Sequence, residues 1–154
     1  MDDTIKTTAE IEEDGVFPRA HAVHTDPTMA SAEQKPLPAK LAGKSVKNKS
    51  PAEWAYERLV LYIRNFEEQL DNQHEVAIGM TGGDAGVLKI EGLGYFDPDI
   101  VTFYGTDPSG AKTQLIQHVS QLNVMLRAMP LQTSEPEQEP NRIGFRLAQD
   151  LEVE

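Results

Sequence analysis

The feature that most constrains the fold is a strongly marked helix start at Ser50. Ser50-Pro51-Ala52-Glu53 places serine at the N-cap, proline at the first helical position and glutamate at the third. This is a capping box with proline where its missing N–H costs nothing. Apolar residues then recur on one helical face, namely Ala55, Leu59, Tyr62, Ile63, Phe66 and Leu70. Charged residues fall largely on the other side, so the pattern predicts an amphipathic helix over residues 51–71.

A run of short strand patterns follows this helix. Alternating or β-branched apolar side chains occupy residues 74–80, 87–95, 100–104 and 112–118. Turn-forming residues separate the four segments at 81–86, 97–99 and 107–110. Gly92 and Gly94 indicate a bend or bulge in the second strand. The short connections favour an antiparallel meander.

The sequence after His118 fits more than one description. Val119, Leu122, Met125, Leu126 and Met129 fit one face of a helix, but residues 119–129 also fit a continuing strand followed by another. Length and period favour a short helix that ends before Pro130. Residues 131–141 are rich in proline and glutamate and predict a loop. Alternation of Ile143, Phe145 and Leu147 predicts a final strand.

These elements predict one α+β domain over residues 50–150, with a C-terminal tail at 151–154. A capped N-terminal helix packs on a four- or five-stranded, mostly antiparallel sheet, with a short second helix before the final strand. The predicted core consists of Leu59, Tyr62, Ile63, Phe66, Leu70, Val76, Ile78, Leu88, Ile90, Val101, Phe103, Leu115, Leu122, Phe145 and Leu147.

Charge is unevenly distributed along the chain, whose formal net charge is −11. Residues 1–34 carry −6, residues 35–49 carry +5 from five lysines, and residues 50–154 carry −10. Residues 1–49 contain few large apolar side chains and several prolines, which predicts a disordered arm that ends in a lysine-rich linker. The acidic domain repels phosphate backbones, so nucleic acid is not expected on it.

Several classes of protein and site are excluded or disfavoured. The chain has no cysteine, which excludes disulfides and cysteine-ligated zinc. It has no apolar run long enough to span a membrane and no secretory signal at Met1, so we expect a cytoplasmic protein. His118 and Ser120 lie two residues apart without an orienting acid, and Asp97 and Asp99 are explained by a turn. We therefore expect no enzyme, and no catalytic, cofactor or metal site.

The remaining hypothesis is a protein-interaction or regulatory module that binds a protein partner or a second copy of itself. The helix carries more apolar surface than one stripe requires. Trp54, Tyr56, Val60 and Leu61 lie beside or beyond the predicted core face. If exposed, these four residues would form the anchor cluster of an interface.

Parts of the domain resemble known families. The segments 51–60, 101–105, 114–122 and 142–147 resemble an uncharacterised bacterial family of small proteins, a domain of unknown function. That resemblance covers nearly the whole domain and implies no activity. Three features are similar to the Sm-like, Hfq-type RNA chaperone class. They are a helix followed by strands, a second strand bent at glycine, and the segment Gln114-Leu115-Ile116-Gln117-His118. That class has an N-terminal helix and a bent five-stranded antiparallel sheet.

The Sm-like resemblance implies an alternative function in RNA binding. His118 matches the histidine with which a late strand of that class meets uridine. The contacts implied for this chain are Lys40, Lys44, Lys47, Lys49 and His118.

Overall fold

The structure is a computed structural model that describes residues 21–26, 28, 31–38, 48–80, 86–131 and 140–152. Its helices are α1 (Pro51–Glu68) and α2 (Ile143–Glu152), and short 3₁₀ helices lie at Ala32–Gln34 and Val119–Gln121. The strands are β1 (His74–Met80), β2 (Val87–Phe96), β3 (Ile100–Thr106), β4 (Lys112–His118) and β5 (Val124–Pro130). The predicted α+β class, with a capped helix before an antiparallel sheet, is confirmed.

The start of α1 follows its capping sequence. The Ser50 hydroxyl accepts the backbone N–H of Glu53 at 3.0 Å, and Pro51 occupies the first turn. Because proline has no N–H, it leaves no unsatisfied donor there. The Ala52 N–H donates to the Pro98 carbonyl at 2.9 Å, which ties the helix to the turn between β2 and β3. The helix ends at Glu68, three residues before the predicted end.

The five strands form one antiparallel sheet in the order β4-β3-β2-β1-β5. The first four strands form the predicted meander. β5 then pairs with β1 along seven positions, from His74 opposite Pro130 to Met80 opposite Val124. The favoured helix over residues 119–129 is therefore wrong, and only Val119–Gln121 is helical. The edge of β1 supplies the hydrogen-bond partners that make residues 124–130 a strand. The spacing of apolar residues within 119–129 does not reveal these partners.

Two predicted local features of the sheet are confirmed. The register between β2 and β3 shifts between Ile90 and Gly92, as expected of a bulge, and Leu93 is buried after it. The β3–β4 turn has Gly110 at φ 89°. Asp107 Oδ1 accepts the N–H groups of Ser109 and Ala111, each at 2.9 Å. The predicted turn at 81–86 and loop at 131–141 lie mostly outside the described residues.

The core lies between α1 and one face of the sheet. Seven of the predicted core residues are buried, namely Ile63, Val76, Ile78, Leu88, Ile90, Val101 and Phe103. Six others are partly buried against them: Leu59, Phe66, Leu70, Leu115, Leu122 and Leu147. Tyr62 and Phe145 are 45% and 49% exposed, so placing them in the core was wrong. The buried Val60, Leu93, Ile143, Ala148 and Leu151 were not predicted.

The buried face of α1 includes two glutamates. Glu57 and Glu67 are 3% and 4% exposed, although the helical pattern predicted both on the solvent side. Lys49 Nζ lies 2.6 Å from Glu57 Oε2, and both side chains are buried. Glu67 Oε1 accepts the N–H of Phe145 at 3.1 Å, at the start of α2. Each glutamate thus has a partner from outside α1, which offsets part of its desolvation cost.

The predicted strand at residues 143–147 is wrong, because these residues begin α2. Ile143, Ala148 and Leu151 are its buried residues and pack into the core. At Gly144 a methyl group would lie 2.7 Å from the backbone N of Arg64 and 2.8 Å from Ile63 Cγ2. The close contact of the two helices therefore requires glycine here. Leu151 and Glu152, predicted as tail, belong to this helix.

A short N-terminal segment, residues 31–38, lies along α1, and we call it the strap. Leu37 packs against the core, Lys35 forms an ion pair with Glu68, and the Tyr62 hydroxyl donates to Glu33. The hydrogen bond gives the hydroxyl of the half-exposed Tyr62 a partner at the surface. The disorder expected for residues 1–49 stays a prediction. Of that arm, residues 1–20, 27, 29–30 and 39–47 lie outside the described residues.

Candidate functional site

The candidate site is a part of the sheet face that points away from α1, made of three neighbouring rows of residues on β2, β3 and β4, which we call the outer face. Residues directly opposite each other on neighbouring strands share a face. Tyr104 is opposite Gly92 and Gln114, Thr102 is opposite Gly94 and Ile116, and Ile100 is opposite Phe96 and His118. None of these nine positions carries an aspartate, glutamate, lysine or arginine side chain.

Large apolar side chains are exposed on the outer face. Phe96 is 76% exposed, Ile116 61% and Tyr104 44%. A methyl group at Gly92 would lie 3.5 Å from Tyr104 Cδ2, and one at Gly94 would lie 3.9 Å from Tyr104 Cε2. The Tyr104 ring therefore lies along the backbone of β2 at these two glycines, and the contact defines the position of the ring. Clustered exposed apolar groups of this kind are typical of binding surfaces.

His118 lies at one end of the outer face in a hydrogen-bonded cluster. Its Nδ1 accepts the N–H of Ser120 at 3.1 Å and lies 2.8 Å from Ser120 Oγ, while Nε2 lies 3.0 Å from Asp99 Oδ2. Because Nδ1 accepts a backbone proton, Nε2 carries the ring hydrogen and donates to Asp99. The Gln121 side chain accepts the His118 N–H at 3.0 Å, which completes a capping box on the 3₁₀ helix.

Sequence reasoning did not identify the acid of this cluster. Asp99 lies beside His118 because Ile100 and His118 are opposite each other in the β3–β4 ladder. Serine, histidine and aspartate in contact also occur in hydrolases, where amide donors and a water-shielded site complete the machinery. Here the His118 side chain is 45% exposed and the Asp99 side chain 40%. The observed contacts cap the 3₁₀ helix and set the chain direction between β4 and β5.

The four residues predicted as an interface do not form one exposed surface. Val60 is fully buried in the core and cannot contact a partner, so its prediction is wrong. The Trp54 ring lies 4.4 Å from Lys49 Nζ, and the Tyr56 ring lies 5.1 Å from that of Tyr95. Leu61 lines a cavity together with Leu37 and Pro38 of the strap. These contacts account for much of the apolar surface that suggested an interface on α1.

The residues predicted to contact RNA have different positions. Lys49 is buried against Glu57, so its prediction as a contact is wrong for this structure. His118 is exposed at the end of the outer face. Lys40, Lys44 and Lys47 lie outside the described residues.

A separate cavity of about 250 Å³ lies on the sheet near the β3–β4 turn. Glu75 and Lys89 line it, together with Thr106 and Met129. Lys89 Nζ lies 3.3 Å from Glu75 Oε2, and Glu75 is buried. The two charges thus neutralise each other within the protein.

Two further findings concern the described part of the chain alone. None of its helices combines the length and apolarity needed to cross a membrane. No group of three or more histidine, aspartate or glutamate side chains within it is arranged to hold a metal ion.

One known protein family matches most of the domain in sequence. The sequence model of a family of unknown function, DUF6173, matches residues 44–146. The chain belongs to DUF6173. The DUF6173 region includes α1, the complete sheet and the first residues of α2, and therefore the whole outer face. No curated protein and no solved structure matches the chain.

Proposed function

We propose that this DUF6173 domain is a non-catalytic interaction module that binds a protein partner through the outer face. One observation carries the proposal: an uncharged, aromatic and aliphatic surface in a chain whose net charge is −11. In a strongly charged protein, the absence of charge over nine neighbouring positions is a specific feature. The cores of protein interfaces are likewise depleted of charge and enriched in aromatic residues.

The geometry supports a protein partner in particular. Phe96 and Ile116 project from a rigid sheet, and Tyr104 is positioned by the glycines beneath it. Anchors held on a scaffold lose little conformational entropy on binding. Residues 50–154 as a whole carry −10, which suits a partner with a basic surface.

The first prediction concerns Phe96. The full chain and its Phe96→Ser variant are used for quantitative affinity capture from an extract of the native cell. We expect the amount of specifically captured partner to fall about tenfold or more with Phe96→Ser, because an aromatic anchor that is buried on binding contributes at least that much.

Phe145→Ser is the matched control, since Phe145 is also exposed but lies on α2. It should capture as much partner as the wild type. Equal capture by wild type and Phe96→Ser would contradict the proposed function.

A second candidate function is binding of single-stranded RNA, as the Sm-like resemblance implies. The exposed positions of Phe96, Tyr104 and His118 on one face favour it, because bases stack on aromatic side chains presented by a sheet. The acidic domain opposes it, so Lys40, Lys44 and Lys47 would have to supply most of the affinity.

RNA binding makes a second prediction. Fluorescence anisotropy of a labelled single-stranded RNA should give a Kd that rises at least about tenfold between roughly 50 mM and 200 mM salt. His118→Ala should raise the Kd further at both salt concentrations. Absence of binding at the lower salt concentration would eliminate this candidate.

A further inference from the structure

The two edges of the sheet differ in how well they are protected from pairing with another strand. β4 forms one edge and β5 the other. Natural edge strands are usually protected by charged residues, prolines or bulges. β5 contains Arg127 at its middle and ends in Pro130, whereas β4 has its one lysine, Lys112, at its first position and neither a charge nor a proline over residues 113–117. Among the described residues, the middle of β4 is thus a weakly protected edge.

The side chains of β4 are also suited to an added strand. Gln114 and Ile116 are exposed on the outer face, while Leu115 is partly buried at the rim of the core. Gln117 is partly buried as well and adds no charge to this edge.

Charge indicates which strand can approach. Residues 108–134 contain no aspartate or glutamate, the longest such stretch in this acidic chain, and they carry Lys112 and Arg127. Two copies with a domain charge of −10 repel each other least where they meet through this stretch.

We propose that β4 pairs antiparallel with β4 of a second copy of the chain, about a two-fold axis at Leu115. This inference goes beyond the proposed function, because it assigns a second contact surface at an edge of the sheet. The pairing would join two five-stranded sheets into one continuous sheet. The two outer faces would then be adjacent, with both Ile116 side chains close to the axis.

The register of this pairing places no like charges opposite each other. Gln114 faces Ile116 of the second copy, Thr113 faces its Gln117, and Lys112 faces its His118. Lys112 Nζ is already 2.9 Å from Glu91 Oε2, which reduces its effect on the histidine. Cross-strand pairs without like charges are compatible with a stable ladder. The symmetric contact is closed, as in most dimers, and does not propagate into a fibre.

Light scattering coupled to size exclusion tests the inference on the full chain over a range of concentrations. We expect a dimer of twice the chain mass of 17.1 kDa. Ile116→Lys should raise the dimer dissociation constant about tenfold or more, because it places two lysines near the axis. Met125→Lys on β5 is the matched control, since Met125 is 49% exposed and lies on the other edge. It should leave the dimer unchanged, and circular dichroism should show both variants folded.

Three outcomes would overturn the inference: a monomer at every concentration, assemblies larger than a dimer, or a dimer weakened by Met125→Lys and not by Ile116→Lys. The proposed function is judged separately by the Phe96 experiment. A monomer whose capture of another protein depends on Phe96 would overturn the second-copy inference alone. A monomer whose capture does not depend on Phe96 would overturn both.

Discussion

Replacing Lys49 with methionine is expected to lower the free energy of unfolding by about 3–5 kcal/mol. Lys49 Nζ lies 2.6 Å from Glu57 Oε2, and the two side chains are 0% and 3% exposed. The ammonium also lies 4.4 Å from the centre of the Trp54 ring. Without the ammonium, the buried Glu57 carboxylate loses this ion pair, and breaking a buried ion pair by removing one partner is strongly destabilising.

Urea denaturation of the full chain measures this effect, and two further variants test the explanation. Lys112→Met breaks an exposed ion pair and should cost no more than about 1 kcal/mol. The double variant Lys49→Met with Glu57→Leu removes both charges and should recover much of the stability lost in Lys49→Met. If Lys49→Met lowered the free energy of unfolding no more than Lys112→Met does, the result would contradict a stabilising role of the buried Lys49–Glu57 ion pair.

The second large effect is a change with pH in the contribution of Glu67 to the free energy of unfolding. Burial raises the pKa of Glu67 to about 7, although the N–H groups of Phe145 and Gly144 and the charge of Arg142 oppose the shift. Its Oε2 is buried and has no hydrogen-bond partner among the described residues. Glu75 on β1, itself paired with Lys89, adds a like charge that raises the pKa further.

The sign of the effect follows from proton linkage. The folded pKa is above the unfolded value of 4.5, so between these pH values the folded state holds a proton that the unfolded state has lost. This contribution to stability is fully present below the unfolded pKa and is lost as the pH rises through about 7.

Glu67→Gln is therefore expected to stabilise the protein at about pH 8 by roughly 1–2 kcal/mol, and to have little effect near pH 5. This stabilisation is below the full linkage value because the protein relaxes around the buried charge. Glutamine retains an oxygen that can accept the Phe145 N–H. Urea denaturation at the two pH values gives the comparison, with Glu68→Gln on the exposed side of α1 as the control. An equal effect of Glu67→Gln at both pH values would contradict the assigned role of burial.

Local patterns in the sequence were sufficient for α1 and for β1 to β4. The Ser50 cap, the bulge near Gly92 and the Asp107–Gly110 turn depend on residues close together in the chain. A cap, a turn or an alternating strand is specified by its own residues, so these features could be predicted before any packing was known.

The candidate site was only partly visible in the sequence. The alternation within β3 and β4 places Tyr104 and Ile116 on exposed positions, but only the strand register shows that they share a face with Phe96 and the two glycines. Trp54 and Leu61 were predicted as interface residues because they are large apolar residues beyond the core face of the helix. Lys49 and the strap contact them, and neither contact could be predicted from spacing along α1.

The sequence by itself determined the acidic charge, the capped helix and the four strands of the meander, because each depends on composition or on neighbours along the chain. Only the tertiary structure decided that residues 124–130 form a strand and residues 143–152 a helix. It also decided that Glu57 and Glu67 are buried. In each case a partner that is distant in the sequence outweighs the local pattern. The edge of β1 pairs with residues 124–130, and α1 packs against Gly144 of the second helix. The Lys49 ammonium and the N–H groups of α2 compensate the buried carboxylates of Glu57 and Glu67.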